Sequence, residues 1–391
     1  MSTTLCYPRS DAPIQGLFVQ RRLREIHRLK PLTVIAPVPW FPGARRPPHS
    51  EDRGGPPPAV RPRMFYLPGV AKSLDARFFA RALDRAIEPL QHRKPVRLID
   101  VHFVWPDGVG AWRVARRRRI PLLCTIRGKL VSRIAEPSQR RQITAMLRDA
   151  DGLIAVSRAL ANLANDVAGR DLAIRVIPNG IDPSLFGRAG GDTQAWSATA
   201  RAACGWSDAA RYVVSVGHLQ ALKGFHHLLN IWPDVRRRAG DARLVLVGGA
   251  TGERAYAARI RNQAASLGPE AVTLVGPIAP DRVATMLNAA DLFVLASRSE
   301  GWCNAIAESL ACGCPVVATD VGGNREIVTD DALGALVPCG DTTALTDAVC
   351  AALDRSWDRD HIATIGGRRT WQEVAAECVD VMENVLRRTE R

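Results

Sequence analysis

No stretch of this 391-residue chain contains eighteen consecutive apolar residues, so no segment reads as a membrane-spanning helix. The first sixteen residues, MSTTLCYPRSDAPIQG, lack the long apolar core of a secretory signal, and a cytoplasmic protein is expected. Paired CxxC units are missing too. The nine cysteines are scattered through both halves, which excludes a zinc ribbon or a disulfide framework and predicts reduced thiols. No D-x-D loop lies between apolar strands, so neither a bound metal nor any other cofactor is expected. What the chain does have is apolar content, 47%, at a length too great for one ordinary core. Two domains are predicted.

Charge is distributed unevenly. Residues 1–178 carry 32 lysines and arginines against 14 acidic residues, and the remainder carries 21 against 25. A basic half of this kind points to an anionic partner: a phospholipid surface, a lipid diphosphate or nucleic acid. The competing reading is an arginine-rich composition spread over solvated helix faces. Both stay open on charge alone.

Short apolar strands alternate with amphipathic helices, the pattern of a doubly wound parallel sheet. In the first half, strands are expected at residues 3–7, 32–38, 97–104, 121–126 and 152–157, and residues 174–182 close it with a strand and a turn built on Asn179-Gly180. A helix over residues 17–29 carries Arg21, Arg22, Arg24 and Arg28 on its expected outer face, and Ser157 is placed to cap the helix after it. The proline-rich residues 39–63 read as a long loop. The grammar restarts in the second half, with strands at 212–217, 243–249 and 271–276 and helices at 225–238 and 281–288. Residues 371–386 form an amphipathic helix.

Residues 296–322 are the most informative stretch. LFVLAS before them and CPVVATD within them read as parallel strands, with a Ser/Gly loop and a helix start between. The loop holds Glu300 and the helix holds Glu308. In α/β folds ligands bind beyond the strand ends, and free N–H groups at residues 302–305 would face an anion there. Glu308 lies one turn into the helix, on the side of Asn304.

The segment SEGWCNAIAESLACGCPVVATDVGGNREIV resembles the donor-binding signature of family 4 retaining glycosyltransferases. That resemblance implies an α/β protein of GT-B fold, two Rossmann-like doubly wound domains facing across a cleft. Residues 1–186 would bind acceptor, with the 371–391 helix packing back on them, and residues 187–370 would bind a nucleotide diphosphate sugar. It further implies that Glu300 contacts the sugar and Glu308 the ribose, with Trp302, Cys303 and Asn304 beside them. Ser215-Val216-Gly217-His218-Leu219 with Lys223-Gly224 is similar to the family's G-R-L-x-x-x-K-G. Lys223 matches, whereas His218 stands where the family has arginine and halves the permanent positive charge at pH 7. Gly217 would allow close approach of the donor, and backbone near Gly276 would meet its base.

In the first half, Gly16 resembles the family's early glycine loop beside acceptor and donor. Thr125-Ile126-Arg127-Gly128 departs from the common T-x-H-G. With His102 and the Pro106-Asp107-Gly108 run, it looks like the subset that includes teichuronic-acid and exopolysaccharide enzymes. Arg127 would then be a cation for an acceptor phosphate or for the donor. His102 reads either as a site residue or as a strand-end structural histidine. Asp107 would cap the following helix or bind acceptor hydroxyls. Asn179-Gly180-Ile181-Asp182 looks like a structural turn, and Glu326 is expected at a helix N-terminus.

The expected activity is retaining, metal-independent transfer of a sugar from a nucleotide diphosphate sugar to a hydroxyl, with Glu300, Lys223 and Arg127 as its catalytic groups. A glycan or lipid-linked acceptor fits the basic half, with peripheral contact at an anionic inner membrane face and no nucleic acid. Two alternatives stay open: a nucleotide-sugar epimerase of the same fold, and a non-catalytic basic binding protein.

Overall fold

A computed structural model describes residues 1–43, 51–52, 56–93, 95–187 and 193–390. The chain divides into two compact units. Unit 1 is residues 1–180 with 371–391, and unit 2 is residues 181–370.

Unit 1 is built on a sheet whose strands run, edge to edge, Arg175–Val176, Gly152–Ala155, Leu122–Ile126, Ile99–His102, Ser2–Thr3, Val34–Ile35, Ala59–Val60 and Glu51–Asp52. All neighbours are parallel except the last pair. The central strands are buried throughout, as expected where helices cover both faces. The strand order reverses direction between Ser2–Thr3 and Ile99–His102. Residues following those two strands therefore flank a topological switch point.

The proline-rich segment is a correction to the loop reading. Within residues 39–63 the structure has strands Glu51–Asp52, Ala59–Val60 and the start of Arg63–Phe65, and the last pairs parallel with Val38–Trp40. Proline lacks an N–H but keeps its carbonyl. Val34 N–H donates to the Pro58 carbonyl at 2.9 Å and Val38 N–H to the Pro62 carbonyl at 2.8 Å. The prolines thus shorten these strands without abolishing them. Residues 44–50 and 53–55 of that segment lie outside the described residues.

The helix Asp75–Arg93 was not anticipated, although Ala76, Phe79, Leu83 and Ile87 recur at helical spacing and are all buried. The helix Trp371–Thr389 buries Trp371, Val374, Ala375, Cys378 and Val385 in one core with Val19, Leu23 and Ile26 of helix Leu17–Leu29. Ser157 accepts a hydrogen bond from Leu160 N–H and caps the Arg158–Ala168 helix.

Unit 2 has six parallel strands in the order Val272–Gly276, Ala242–Val247, Arg211–Val216, Leu292–Leu295, Val316–Thr319 and Gly334–Val337. Numbered by sequence this is 3-2-1-4-5-6, the Rossmann order, with its switch point between Arg211–Val216 and Leu292–Leu295. Residues 181–186 belong here. Ile181 bridges to Thr370, and Ile181 and Phe186 enter the unit 2 core. Among the described residues, no helix is long and apolar enough to cross a membrane.

Because Trp371 is 4% exposed in the unit 1 core, Trp371→Ala is expected to destabilise the protein by about 3–5 kcal/mol. Hydrogen-exchange mass spectrometry checks this: protection should fall in the strands of unit 1 and persist in those of unit 2.

Candidate active site

At the unit 2 switch point, two loops leave adjacent strands. After Arg211–Val216 the chain passes through Gly217, an exposed His218 and a short turn at Ala221–Lys223 into helix Phe225–Ala239. After Leu292–Leu295 it passes through Ser297 and Glu300 into helix Asn304–Ala311. Arg298 N–H donates to the Leu222 carbonyl at 2.9 Å, which ties the loops together. Lys223 Nζ donates to Glu300 Oε1 at 2.6 Å, and Ser297 Oγ donates to the same oxygen at 2.7 Å. The Lys223 side chain is 21% exposed and that of Glu300 9%. Burial works against the ammonium, but the Glu300 carboxylate outweighs it and the Lys223 pKa is raised. Lys223 therefore remains a cation at neutral pH.

Gly322 explains the glycine pair downstream. Its φ is +54°, and a Cβ there would lie 1.7 Å from the Glu300 carbonyl oxygen. Only glycine lets this turn close over the backbone of Glu300. Helix Asn304–Ala311 begins immediately after the loop. Cys303, at its N-cap, is buried, and burial with the neighbouring Glu300 pushes its thiol up to about 12, so it is no nucleophile at neutral pH. Trp302, Asn304 and Glu308 are half-buried, Glu308 one turn beyond Asn304. Gly276 ends the Val272–Gly276 strand with φ +81° and open space where a side chain would be. Glu326 corrects its expected placement: it closes the turn Gly322–Glu326 rather than opening a helix. The described residues hold no group of three His, Cys, Asp or Glu side chains able to bind a metal ion.

In unit 1, Gly16 precedes helix Leu17–Leu29 with φ +79°, and a Cβ there would meet the Cys6 carbonyl oxygen at 2.3 Å. The loop after the first strand is thereby folded tightly against itself. Asp107 neither caps the next helix nor faces solvent, because it is 2% exposed and accepts Leu5 N–H at 2.6 Å across the switch point. Its attraction to a backbone donor on the neighbouring loop prevails over the capping role that sequence position suggests. His102 is fully buried, with Nε2 3.3 Å from Asp100 Oδ2. Burial lowers its pKa to about 4, so it is neutral at pH 7 and serves the interior, not an open acceptor surface. Asp100 also accepts from Ser2 Oγ at 2.9 Å. Burial favours its neutral form, but His102, Arg22 and Ser2 together hold it at about 2.

Arg127 differs likewise from a cation at an open surface. It is 3% exposed, Nη1 donates to Asn179 Oδ1 at 3.0 Å, and the guanidinium carbon lies 5.1 Å from the Phe18 ring centroid. Nε and Nη2 are buried with no hydrogen-bond partner among the described residues. Burial and the nearby Arg22 lower its pKa to about 9, which leaves it charged. The structure thus brings together Lys223 and Glu300 in unit 2, and Gly16 and Asp107 in unit 1. Ser297, Gly322, Asp100 and Asn179, which orient these groups, escaped the sequence reading except as turn or strand residues.

The fold defines the class, an α/β protein built from two Rossmann-like units in the GT-B manner. The profile "Glycosyltransferase Family 4" matches residues 19–185, and "Glycosyl transferases group 1" matches residues 210–355. A D-inositol 3-phosphate glycosyltransferase of Xylanimonas cellulosilytica is 30% identical over 74% of this chain and 72% of that protein. TuaC of Bacillus subtilis, assigned by name to teichuronic acid biosynthesis, is 28% identical over 82% of this chain and 80% of that one. Alignments with several other proteins named as D-inositol 3-phosphate glycosyltransferases span only 50 to 62% of their length. Among solved structures, Anabaena HepE in complex with UDP superposes with a TM-score of 0.72 at 19% identity, covering 98% of each chain. The chain belongs to glycosyltransferase family 4.

Asp107 provides a pH test. Burial pushes its carboxyl from the ordinary 3.8 up to about 6, against the hydrogen bond from Leu5. The folded chain holds this proton more tightly than the unfolded chain. Its stabilising contribution is therefore complete below pH 3.8 and is lost as pH rises through 6. Asp107→Asn keeps an acceptor for Leu5 without the charge. At pH 8 it is expected to be more stable than the parent by up to about 3 kcal/mol, with the difference vanishing near pH 4. Urea unfolding at the two pH values reads the difference directly.

Proposed function

We propose that this glycosyltransferase moves a sugar from a nucleotide diphosphate sugar, with UDP as the nucleotide, to a hydroxyl of an anionic glycan or lipid-linked acceptor. The observation that carries the reading is the Lys223–Glu300 pair at the switch point of unit 2. Lys223 and the N-terminus of helix Asn304–Ala311 supply positive potential for the departing diphosphate. Glu300, steadied by Ser297, faces the sugar hydroxyls. Glu308 takes the ribose, and the open backbone at Gly276 takes the base. The bond from the anomeric carbon to the diphosphate oxygen breaks, and the acceptor oxygen bonds to that carbon on the same face. The acceptor proton passes to the departing oxygen. Configuration is retained, and no metal is required because Lys223 and the helix end meet the leaving charge.

HepE was solved with UDP, which supports the choice of nucleotide. The excess of cations in residues 1–178 and the phosphate or acid named in two relatives support an anionic acceptor bound by unit 1. The same excess supports peripheral contact with an anionic membrane at the cytoplasmic face.

Thermal shift with UDP and UDP-glucose tests the donor site. A ligand at 100 times its dissociation constant adds about 2.7 kcal/mol of stability. Lys223→Ala and Glu308→Ala are each expected to abolish most of the shift. Lys223→Ala should also lower turnover about 100-fold or more. Unchanged shifts in both variants would place the donor elsewhere. Product NMR for anomeric configuration and activity in excess chelator decide retention and metal independence.

A further inference from the structure

Exposed cations recur along a helix of unit 1 that its charge pattern does not single out. In helix Leu17–Leu29, Arg22 is fully buried and Arg28 pairs with Glu25 at 2.7 Å. Lys30, just beyond that helix, pairs with Glu383 at 2.8 Å. That helix leaves Arg24 exposed without an ion pair among the described residues. Helix Asp75–Arg93 is different. Arg77, Arg81 and Arg85 recur at i, i+4 and i+8, so they form one stripe, and all three are exposed. None of them has an ion pair among the described residues. The acids that would neutralise them are engaged elsewhere: Asp84 by Arg117 and Arg118, and Glu88 by Arg118. Asp75 is buried beside Lys72 at 3.7 Å.

Exposed apolar side chains precede that helix, and one of them meets it. Val70 is 62% exposed and Phe65 38% exposed. The Phe65 ring meets Phe78, on the same helix, edge to face at 4.9 Å. The connection between Phe65 and the helix is held in shape by Lys72, whose Nζ donates to the Leu67 carbonyl at 2.6 Å and lies 3.7 Å from the Tyr66 ring centroid. Water solvates the three arginines but gains nothing from an exposed aliphatic tip. A bilayer surface rewards both, because head-group phosphates take guanidinium groups and the interface takes aromatic and aliphatic side chains.

We propose that unit 1 docks on an anionic lipid bilayer through the Arg77–Arg81–Arg85 stripe and the Phe65–Val70 rim. This rests on the membrane contact in the proposed function and assigns it a surface. Exposed Val70 and Phe65 favour a bilayer over nucleic acid, which would be bound chiefly through phosphate contacts and reward no aliphatic tip.

Co-sedimentation of the full chain with phosphatidylglycerol–phosphatidylcholine vesicles, and with phosphatidylcholine alone, tests the proposal. The parent is expected to partition onto the anionic vesicles only. The triple variant Arg77→Glu, Arg81→Glu, Arg85→Glu should partition about 100-fold more weakly, from about fivefold for each arginine near an anionic surface. Val70→Asp alone should also weaken partitioning, and it serves as the second variant if the triple one does not fold. Arg21→Glu with Arg24→Glu, on the other helix, should leave partitioning unchanged. Equal partitioning by parent and triple variant, equal loss from the Arg21/Arg24 reversal, or no partitioning by the parent would each overturn the assignment. So would duplex DNA binding that the triple variant loses in the absence of any vesicle binding. The UDP thermal shift should survive in every variant, so a missing shift in the parent indicts the donor reading and not the docking surface.

Discussion

The Lys223 ammonium and the Glu300 carboxylate sit 2.6 Å apart only because two loops from adjacent strands reach the same place. Neither loop would hold its charged residue there alone. Pairing Val213 with Leu292 brings the strand ends into register, Arg298 N–H fastens one loop to the other, and Ser297 fixes the shared carboxylate oxygen. Gly322 then closes over the Glu300 backbone at a distance that no side chain permits. Removing either charge would leave its partner largely desolvated, and such losses typically cost about 3–5 kcal/mol when burial is complete. Partial exposure of Lys223 reduces that figure. The geometry is therefore held by packing and backbone hydrogen bonds, with the ion pair as its consequence.

Unit 1 solves the corresponding problem with buried groups. Asp107 spans the switch point to Leu5, and Gly16 folds the first loop onto Cys6. Below them Asp100, His102, Arg22 and Arg127 share one interior. Burial first, and then repulsion from the Arg22 guanidinium, shift Arg127 down, and Asp100 is the ionised carboxylate that offsets the two cations. His102 stays neutral chiefly because burial disfavours its charged form, with Arg127 and Arg22 adding to the effect.

Much of this was legible in the sequence. The strand–loop–helix–strand frame around Glu300 and Glu308 has strong periodicity and a loop of Ser and Gly, and both survive translation into structure. Lys223 stands out only through the likeness of its segment to the family's G-R-L-x-x-x-K-G, since its spacing after Gly217 fits a solvated lysine equally. Less legible was anything decided by tertiary neighbours. Asp107 before a helix looks like a cap, and only the position of Leu5 reveals its partner. The residues at 39–63 look like a loop because proline lacks a donor, yet a proline carbonyl beside a strand can still accept a hydrogen bond. Helix Asp75–Arg93 carries an apolar spacing at Ala76, Phe79, Leu83 and Ile87, set among charged residues and interrupted by Pro89.

Arginine shows the same limit in its sharpest form. Arg22, Arg127, Arg118 and Arg81 are identical in a charge count, and a sum over residues 1–178 treats them alike. Arg22 and Arg127 are buried, Arg118 is held by Asp84 and Glu88, and Arg81 faces solvent without a partner. A partner in solution responds only to the last kind. Long-range attraction falls off within about 8 Å at physiological ionic strength, so docking depends on the arrangement of unpaired surface cations and not on net charge. Helix phase separates these fates: position 22 points inward among Val19, Leu23 and Ile26, whereas positions 77, 81 and 85 lie opposite Ala76, Phe79 and Leu83. The charge excess of unit 1 thus becomes an argument about a partner only after the fold has assigned each arginine its neighbours.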